Sequence, residues 1–354
     1  MRIAIDAMGG DHAPGAIIDG AVQAARDFSI QVILVGDQEV LHKYLGALKT
    51  PAPASVSVHH ASQVVGMDEA PSQAVRRKRD SSIAVATRLH AEGAADAVLS
   101  AGNTGAASAA AIFALRPIEG VDRPGIATVF PTQKNALVLM DAGANVDCRP
   151  RHLVEFALMG SAYARAIQDV IPGTKGVAAN AIPTVGLLSI GEEEGKGNEL
   201  VKSTYKLLRQ GEGSGFYKYF GNVEGRDIAY GTVDVVVCDG FVGNVVLKVA
   251  EGFARFFAGS LKEALLRDAR SKLGALLLKP SLKKWRARID YTEFGGAVLL
   301  GVNGVCIICH GSADSRSIYS AIRIARQTVQ SDVTGTIKKA IAQSNTSAGE
   351  AEAN

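Results

Sequence analysis

The chain has 354 residues, of which 47% are apolar and 21% are charged, and its formal net charge is +3. This composition excludes an intrinsically disordered chain, and the small net charge gives no reason to expect a nucleic-acid partner. Because no run of about 18 apolar residues is present, we expect no transmembrane helix. The first residues are typical of a strand rather than a signal peptide, and four cysteines form no disulfide framework, so we expect a cytoplasmic protein.

Short apolar runs that end in Gly or Asp alternate along the chain with longer segments of helical periodicity. The apolar runs predict strands at 2–6, 31–35, 96–100, 125–130, 136–141, 183–190, 233–239 and 302–308. The periodic segments predict helices at 15–27, 71–92, 104–115, 151–169, 198–210, 241–272 and 315–330. The glycine-rich stretch 211–225 is typical of a loop or a hairpin, and the polar tail 340–354 predicts disorder.

The predicted strands are near-continuous runs of Val, Ile, Leu and Ala, as in strands that are covered on both faces. Their alternation with helices predicts an α/β fold of three layers, in which helices pack on both sides of a mixed, mostly parallel sheet. No internal repeat or clean linker is evident, so we expect residues 1–335 to form a single domain.

Five glycine-bearing turns follow predicted strands, and they span 6–14, 100–106, 141–145, 191–198 and 239–244. Glycine lets backbone N–H groups approach a ligand closely, and the N-terminus of a helix adds free donors and partial positive charge. Ligands of open α/β sheets bind outside the carboxyl ends of the strands. Each turn by itself is equally typical of an ordinary tight connection, but together they predict an anion site at one rim of the sheet.

Familiar catalytic fingerprints are missing from the sequence, which has no G-x-S-x-G and no H-E-x-x-H motif. The run from Gly191 to Gly197 resembles a phosphate-binding loop, but its spacing is wrong and Gly197 stands where a hydroxyl residue is needed. No G-x-G-x-x-G follows the first strand, which weakens a dinucleotide site.

Cys306, Cys309 and His310 match the C-x-x-C-H pattern of covalent haem attachment, and two thiols can also bind zinc. A strand over these residues would place the two cysteines on opposite faces of the sheet, however, and no second C-x-x-C exists. We therefore expect buried structural cysteines, and no metal or cofactor. His310 comes at the end of this strand and is either a packed side chain or part of a site.

Two basic segments stand out. Residues 255–288 hold ten Lys or Arg against Glu263 and Asp268, a local net charge of +8, and the apolar residues of 253–288 recur at helical spacing. Such a segment is typical either of a helix that packs on the core or of one that lies at a membrane surface. The second segment, Arg76–Arg79, indicates either a solvated helix face or a docking site for an acidic partner.

Seven motifs, in order, resemble those of the bacterial phosphate acyltransferase family, from residue 1 to about residue 330. They are IAIDAMGGDHAP, SAGNTGA, DAGANVD, VGLLSIGEEEGKGN, GNVEGRDI, VDVVVCDGFVGNVVLK and EFGGAVLLGVNGVCIICHGSAD. The resemblance implies an enzyme that transfers a fatty acyl group from an acyl-[acyl carrier protein] to inorganic phosphate and gives acyl-phosphate. It also implies that a membrane glycerol-3-phosphate acyltransferase consumes the product in phospholipid synthesis.

The same resemblance implies a fold like that of isocitrate and isopropylmalate dehydrogenases, built as two intertwined halves. It implies a homodimer that associates peripherally with the inner face of the cell membrane. On this basis Arg76, Arg77, Lys78 and Arg79 are expected to dock the carrier protein. The predicted membrane-contact residues are Leu276, Leu277, Leu278 and Trp285.

Phosphate is an anionic nucleophile at neutral pH, so we expect direct attack on the thioester without an acyl-enzyme. Lys196 and Asn244 are the expected catalytic residues, because a cation and an amide donor would stabilise the developing negative charge. Their alternatives are a solvated loop lysine and a helix cap. His310, with Asp11 and His12, would orient phosphate or protonate the leaving thiolate. The predicted substrate-binding residues are Asp6, Gly9, Gly10, Asp11, His12, Ser100, Gly102, Asn103, Thr104, Gly105, Asn145, Asp239 and Gly243.

Two other classes of function stay open at this point. A dehydrogenase with a nicotinamide cofactor is consistent with the fold alone, which is weak evidence for an activity. A non-catalytic membrane scaffold would use the basic segment, but it would leave the glycine-bearing turns unexplained.

Overall fold

The computed structural model describes residues 1–134, 136–167, 181–289 and 295–353. Within these residues, eleven strands form one sheet. The strands are β1 (Arg2–Asp6), β2 (Gln31–Gly36), β3 (Val56–His60), β4 (Ala97–Ser100), β5 (Gly125–Pro131), β6 (Ala136–Met140), β7 (Thr184–Leu188), β8 (Lys218–Val223), β9 (Val235–Val237), β10 (Ala297–Leu300) and β11 (Cys306–Ile308).

The described α-helices cover both faces of this sheet. They are α1 (Gly15–Phe28), α2 (Gln38–Gly46), α3 (Pro71–Arg77), α4 (Ser82–Ala91), α5 (Thr104–Leu115), α6 (Pro150–Ala166), α7 (Glu199–Gln210), α8 (Gly225–Tyr230), α9 (Gly240–Leu266), α10 (Ala269–Ile289), α11 (Ser315–Gln330) and α12 (Val333–Ala353).

Alternate residues of the central strands point into different cores, which confirms the three-layer α/β/α fold. In β1, Ile3 and Ile5 pack into a core with residues of α1, α6 and α11. Ala4 lies between them in sequence and packs into a second core with residues of α4 and α5. This alternation follows from the pleat of a strand, whose successive side chains point to opposite faces.

The strands run in the order β3-β2-β1-β4-β11-β10-β5-β6-β9-β7-β8. From β3 to β11 every neighbouring pair is parallel, and the same holds from β6 to β8. The three pairs between β11 and β6 are antiparallel. Because three reversals separate them, the two parallel groups run in opposite directions. The carboxyl ends of β1, β4 and β11 lie at what we call the first rim, and those of β6, β9 and β7 lie at the second rim.

Most predicted elements are found near their predicted bounds, but the predictions for three internal segments are wrong. The helix predicted at 71–92 is two helices, α3 and α4, because Lys78 leaves helical geometry (φ −101°, ψ 66°). The predicted loop or hairpin at 211–225 contains a short 3₁₀ helix and the strand β8. The helix predicted at 241–272 ends at Leu266, and α10 begins at Ala269. Of the helix predicted at 151–169, the last two residues lie outside the described residues.

The end of the chain differs from the predicted disordered tail at 340–354. Helix α12 continues to Ala353, and Ala340 and Ile341 within it are buried in the first core. Burial of these two residues explains why the helix includes the start of the predicted tail.

Helices α9 and α10 form a helical hairpin that exposes large apolar side chains. Phe253 and Phe256 are 67% and 66% exposed, and Leu276 and Leu277 are 64% and 75% exposed. Among the described residues, no helix is long and apolar enough to cross a membrane.

Candidate active site

Asp6 ends β1 and is buried at the first rim. Its carboxylate accepts hydrogen bonds from Ser100 Oγ at 2.7 Å and from the Met8 N–H at 3.3 Å. Burial raises the pKa of Asp6, and the hydrogen bonds from Ser82, Ser100 and the backbone oppose that rise. Asp6 therefore joins the turn after β1 to the turn after β4.

The turns at the first rim touch one another through their backbones. A Cβ atom on Gly9 would lie 2.9 Å from the Gly102 backbone, so only glycine allows this approach. Gly10 has a φ of +104°, which other residues rarely adopt. The Asp11 N–H donates to the Gly311 carbonyl at 2.8 Å and adds the turn after β11 to the group. The structure thus brings these predicted residues together.

His310 lies in the turn after β11. Its Nδ1 atom lies 2.8 Å from Ser312 Oγ. Burial lowers the pKa of His310, and the positive charge of Lys248 on α9 lowers it further, whereas Glu251 raises it. The lowered pKa disfavours the imidazolium form, and with it a role for His310 as a charged general acid.

Asp141 follows β6 at the second rim and is fully buried. One of its carboxylate oxygens accepts from the N–H groups of Ile126, Gly143 and Ala144 at 2.9–3.1 Å. The other accepts from the Asn145 N–H at 2.7 Å and from Asn145 Nδ2 at 2.9 Å. Burial raises the pKa of Asp141, and these donors oppose the rise. The carboxylate organises the whole turn.

The side chains of Asn145 and Asp239 form hydrogen bonds with backbone groups instead of facing an open site. Asn145 Nδ2 also donates to the Pro124 carbonyl at 2.8 Å, and its own carbonyl accepts from the Gly240 N–H at 2.7 Å. Asp239 caps α9 by accepting from the Val242 N–H at 2.9 Å. The helix cap considered for Asn244 is therefore supplied by Asp239.

Gly243 and Asn244 occupy the first turn of α9. Gly243 packs directly on the Asp141 carbonyl, where a Cβ atom would collide with the oxygen. The Asn244 side chain lies beside Gly143 and is exposed. Within the described residues, the Asn244 amide makes no hydrogen bond to the protein, so it is available to a ligand.

Asn103 caps α5 at the first rim. Its Oδ1 accepts from the Ala106 N–H at 3.0 Å, and its Nδ2 donates to the carbonyls of Met67 at 2.9 Å and Glu69 at 3.2 Å. Both ends of the side-chain amide are therefore hydrogen-bonded within the protein, which disfavours the predicted direct contact with phosphate. The N–H groups of Thr104 and Gly105 in the first turn have no partner within the helix and remain as anion donors.

A cleft of about 720 Å³ runs along α5 and reaches both Thr104 and Asn244. Ala109 and Ile112 on α5 form an apolar part of its wall. Ser108 Oγ in the same wall is buried and lacks a hydrogen-bond partner among the described residues. The cleft is lined by Pro71, Ser72, Arg76, Thr104, Gly105, Ser108, Ala109, Ile112, Phe113, Ile126, Ala142, Gly143, Ala144 and Asn244.

Lys196 lies in the turn after β7, at the second rim. Its side chain is exposed and does not line the cleft. Strand β7 lies next to β9, and α9, which carries Asn244, begins directly after β9. Lys196 and Asn244 therefore lie at the same rim. Asn222, which no sequence motif predicts as a site residue, is buried, and its Nδ2 donates to the Glu193 carbonyl at 2.9 Å. The Lys196 N–H donates to the same carbonyl at 3.0 Å. Asn222 thus fixes the turn that presents Lys196.

Of the other residues predicted to bind substrate, carrier protein or membrane, only Arg76 lines the cleft. His12 is exposed beside the turn after β1. Arg76, Arg77 and Arg79 are all exposed, and of these three only Arg76 lines the cleft. Lys78 is half-buried and pairs with Glu69. The predicted membrane-contact residues Leu276, Leu277, Leu278 and Trp285 are all exposed on α10, between 37% and 75%.

The four cysteines are free thiols, of which Cys238, Cys306 and Cys309 are buried and Cys148 is half-buried. Cys306 and Cys309 pack into different cores on opposite faces of the sheet, as predicted. Burial raises the pKa of each to about 12, and the pKa of Cys148 to about 11. A thiolate nucleophile at neutral pH is therefore disfavoured at these positions.

The expectation that the glycine-bearing turns meet at one rim is wrong. The turns after β1, β4 and β11 lie at the first rim, and those after β6, β7 and β9 lie at the second. The antiparallel strands β10 and β5 reverse the direction of the second half. The cleft along α5 connects the two rims instead.

Comparison with known proteins decides the family. The model of the family described as "Fatty acid synthesis protein" matches residues 1–336. A phosphate acyltransferase of Desulfitobacterium hafniense is 51% identical over 340 residues, which cover 96% of this chain and 97% of that protein. The chain belongs to the phosphate acyltransferase family. Membership makes it an acyltransferase of fatty acid and phospholipid synthesis.

Two solved structures support the fold alone, since both are distant in sequence. A phosphotransacetylase from Streptococcus pyogenes is similar with a TM-score of 0.62 at 16% identity, covering 93% of this chain and 94% of that one. A 4-hydroxythreonine-4-phosphate dehydrogenase from Klebsiella pneumoniae has a TM-score of 0.52 at 14% identity, with 93% and 99% covered. A phosphotransacetylase and a dehydrogenase thus share this α/β architecture, in agreement with the dehydrogenase-like fold that the family resemblance implies.

Proposed function

We propose that the enzyme transfers a fatty acyl group from an acyl-[acyl carrier protein] to inorganic phosphate. A phosphate oxygen attacks the thioester carbonyl, the new C–O bond forms, and the C–S bond breaks. The products are acyl-phosphate and the free thiol of the carrier protein, after the thiolate takes up a proton. A membrane glycerol-3-phosphate acyltransferase would then use the acyl-phosphate.

The cleft between Thr104 and Asn244 is the observation that carries this proposal. On one side the first turn of α5 offers unpartnered N–H groups and a partial positive charge, which suit phosphate. On another side Asn244 offers a free amide donor from a helix that Asp239 and Gly243 fix in place. The apolar wall between them suits an acyl thioester.

Positioning and charge stabilisation are sufficient chemistry for this reaction. Holding phosphate and thioester in attack geometry lowers the barrier by up to about 7–11 kcal/mol in well-oriented reactions. One donor aimed at the developing oxyanion contributes about 3–4 kcal/mol. We assign that donor to Asn244, and we assign neutralisation of phosphate or oxyanion to Lys196.

Direct attack, without an acyl-enzyme, agrees with the side chains of the cleft. No cysteine lines it, and Ser72 and Ser108 are its only serines among the described residues. Ser108 Oγ has no hydrogen-bond partner there, so no base is placed to activate it.

The test is to mix the purified enzyme with palmitoyl-[acyl carrier protein] and inorganic phosphate. We expect release of the carrier thiol that depends on phosphate, with formation of acyl-phosphate. Thiol release at the same rate without phosphate would overturn the proposal, because it would indicate hydrolysis. An acyl group trapped on any Ser or Cys would overturn direct attack.

The proposal includes peripheral attachment to the inner face of the cell membrane through the α9–α10 hairpin. The exposed Phe253, Phe256, Leu276 and Leu277 lie in a segment of high positive charge, which suits an anionic lipid surface. Vesicle flotation tests this with Leu276→Glu/Leu277→Glu, which should abolish lipid binding. Leu207→Glu, at an exposed position on α7, is the control and should leave it unchanged. Unchanged binding by the first variant would refute the contact.

We also propose that the enzyme acts as a homodimer and that the basic surface around Arg76–Arg79 docks the acidic carrier protein. Sedimentation of the purified enzyme tests the dimer, and a single species of monomer mass would contradict it. For docking, the KM for the acylated carrier protein should rise with salt, because screening weakens attraction between exposed charges.

A further inference from the structure

Arg76 differs from its three cationic neighbours in where its charge lies. Lys78 Nζ donates to the Val64 carbonyl at 2.8 Å and pairs with Glu69, so its charge is already matched. Arg77 and Arg79 do not line the cleft. Arg76 does line it, with its guanidinium carbon 5.2 Å from the centre of the Phe113 ring.

The Arg76 guanidinium is arranged as an anion receptor. The guanidinium lies over the Phe113 ring, a cation–π contact that leaves the N–H donors at its edge unobstructed by the ring. No hydrogen bond to another described residue engages these donors. Among the described residues, Arg76 forms no ion pair with a carboxylate. A planar fork of donors matches a phosphate group especially well.

This receptor lies far from the other anion position of the cleft. Phe113 is nine residues from Thr104 on the single helix α5, which places them roughly 13 Å apart along its axis. Helix α3 runs beside α5, with Pro71 against Gly105 at one end and Arg76 over Phe113 at the other. One phosphate ion cannot occupy both positions, and the proposed reaction consumes only one.

We infer that Arg76 binds a phosphate group carried by the acyl donor, namely the phosphate of a phosphopantetheine arm. The inference rests on the proposed function. The arm would lie along the apolar wall formed by Ala109 and Ile112, and its thioester would face Asn244. A carrier protein and coenzyme A both present such an arm, so the contact concerns the arm rather than the body that carries it.

The experiment compares two small donors, palmitoyl-phosphopantetheine and palmitoyl-pantetheine, which differ only in that phosphate group. The wild-type enzyme should use the phosphorylated donor with a kcat/KM about tenfold higher or more, as for one charged hydrogen-bonded contact. Arg76→Gln should lower kcat/KM for the phosphorylated donor to the level of the other donor. It should leave the unphosphorylated donor and the KM for inorganic phosphate unchanged.

Lys43→Gln, which removes an exposed cation on α2 outside the cleft, is the matched control and should keep the preference for the phosphorylated donor. An equal loss with both donors in Arg76→Gln, or the same loss in Lys43→Gln, would overturn the inference. A raised KM for inorganic phosphate would overturn it too, because Arg76 would then bind the nucleophile. A wild-type enzyme that forms acyl-phosphate from neither these donors nor the acylated carrier protein would overturn the proposed function itself.

Discussion

Asp6 and Asp141 are buried carboxylates at opposite rims of the sheet, and each follows a strand and precedes a glycine-bearing turn. Asp6 accepts a hydrogen bond from a side-chain hydroxyl, that of Ser100, and so links two turns to each other. Asp141 accepts four backbone N–H groups and the Asn145 amide, and so determines the shape of one turn.

The difference shows what each rim contributes to the cleft. At the first rim the polar side chains are used mainly to hold turns together, and backbone N–H groups remain for a ligand. At the second rim Asp141 and Asn145 use the backbone donors, and a side chain, Asn244, stays free. The site therefore combines a backbone donor set with a side-chain donor.

Replacing the two aspartates should give the largest effects and should separate the two rims. Asp141→Asn places an NH₂ group against backbone N–H donors, so we expect the free energy of unfolding to fall by about 2–5 kcal/mol. Asp6→Asn should cost less, about 1–2 kcal/mol, because the Ser100 hydroxyl can rotate and accept instead of donating. Urea unfolding of both variants measures the difference. Equal losses would show that the two carboxylates play the same structural role.

Asn244→Ala tests the free donor of the second rim. Turnover should fall at least tenfold, because Asn244 would no longer donate to the developing oxyanion. The full contribution of one such donor is about 3–4 kcal/mol, which exceeds the free energy of a tenfold change. The free energy of unfolding should change by less than about 0.5 kcal/mol, since the side chain is exposed and unpartnered. Val245→Ala, at the next exposed position of α9, is the control and should retain full turnover. Near-normal turnover in Asn244→Ala would remove this residue from the mechanism.

Lys196→Ala should also lower turnover at least about tenfold, as expected for a charge on phosphate or the oxyanion. Asn222→Ala should lower it several-fold by releasing the Glu193 carbonyl. The double variant should be no slower than Lys196→Ala alone, because Asn222 acts through the position of Lys196. Additive losses, measured as kcat, would instead assign Asn222 an independent role.

His310→Gln should have the smallest effect. The pKa of His310 lies below its ordinary value of 6.5, because burial and Lys248 disfavour the imidazolium. The side chain is therefore neutral at pH 7–8, and turnover there should fall less than about tenfold, whereas loss of a general acid typically costs 10²–10⁴-fold. The ratio of wild-type to variant turnover should change only below pH 6.5, where His310 takes up a proton. A hundredfold loss at pH 8 would make His310 a catalytic residue.

The sequence predicts local structure well wherever an apolar run is buried on both faces. Strand β1 is found at its predicted bounds, and the fold class and family follow from such runs and their motifs. Strand β3 is missed because Val56–His60 is an edge strand of mostly polar, partly exposed residues. The position of the turns on two rims depends on the antiparallel pairing of β10 with its neighbours β11 and β5. Strand β5 is far from β10 in sequence, so no local pattern shows this pairing.

Individual asparagines show a second limit. Asn103, Asn145 and Asn244 all lie in glycine-bearing turns. The side chains of the first two are hydrogen-bonded to the backbone, whereas Asn244 has no side-chain partner among the described residues. The sequence identifies the residue type that can donate to an anion, but the competing hydrogen-bond partners come from segments distant along the chain. Asn222 is missed for the same reason, since its partner Glu193 is 29 residues away.

Helix α9 is continuous over 27 residues, so it fixes Asn244 and the distal phenylalanines in one angular register. Each added residue in an α-helix turns everything beyond it by about 100°. Insertion of a single alanine between Asn244 and Phe253 would therefore leave the amide in the cleft while it points the distal apolar face in a new direction. Changes in the length of this helix must come in whole turns if both ends are to keep their orientation.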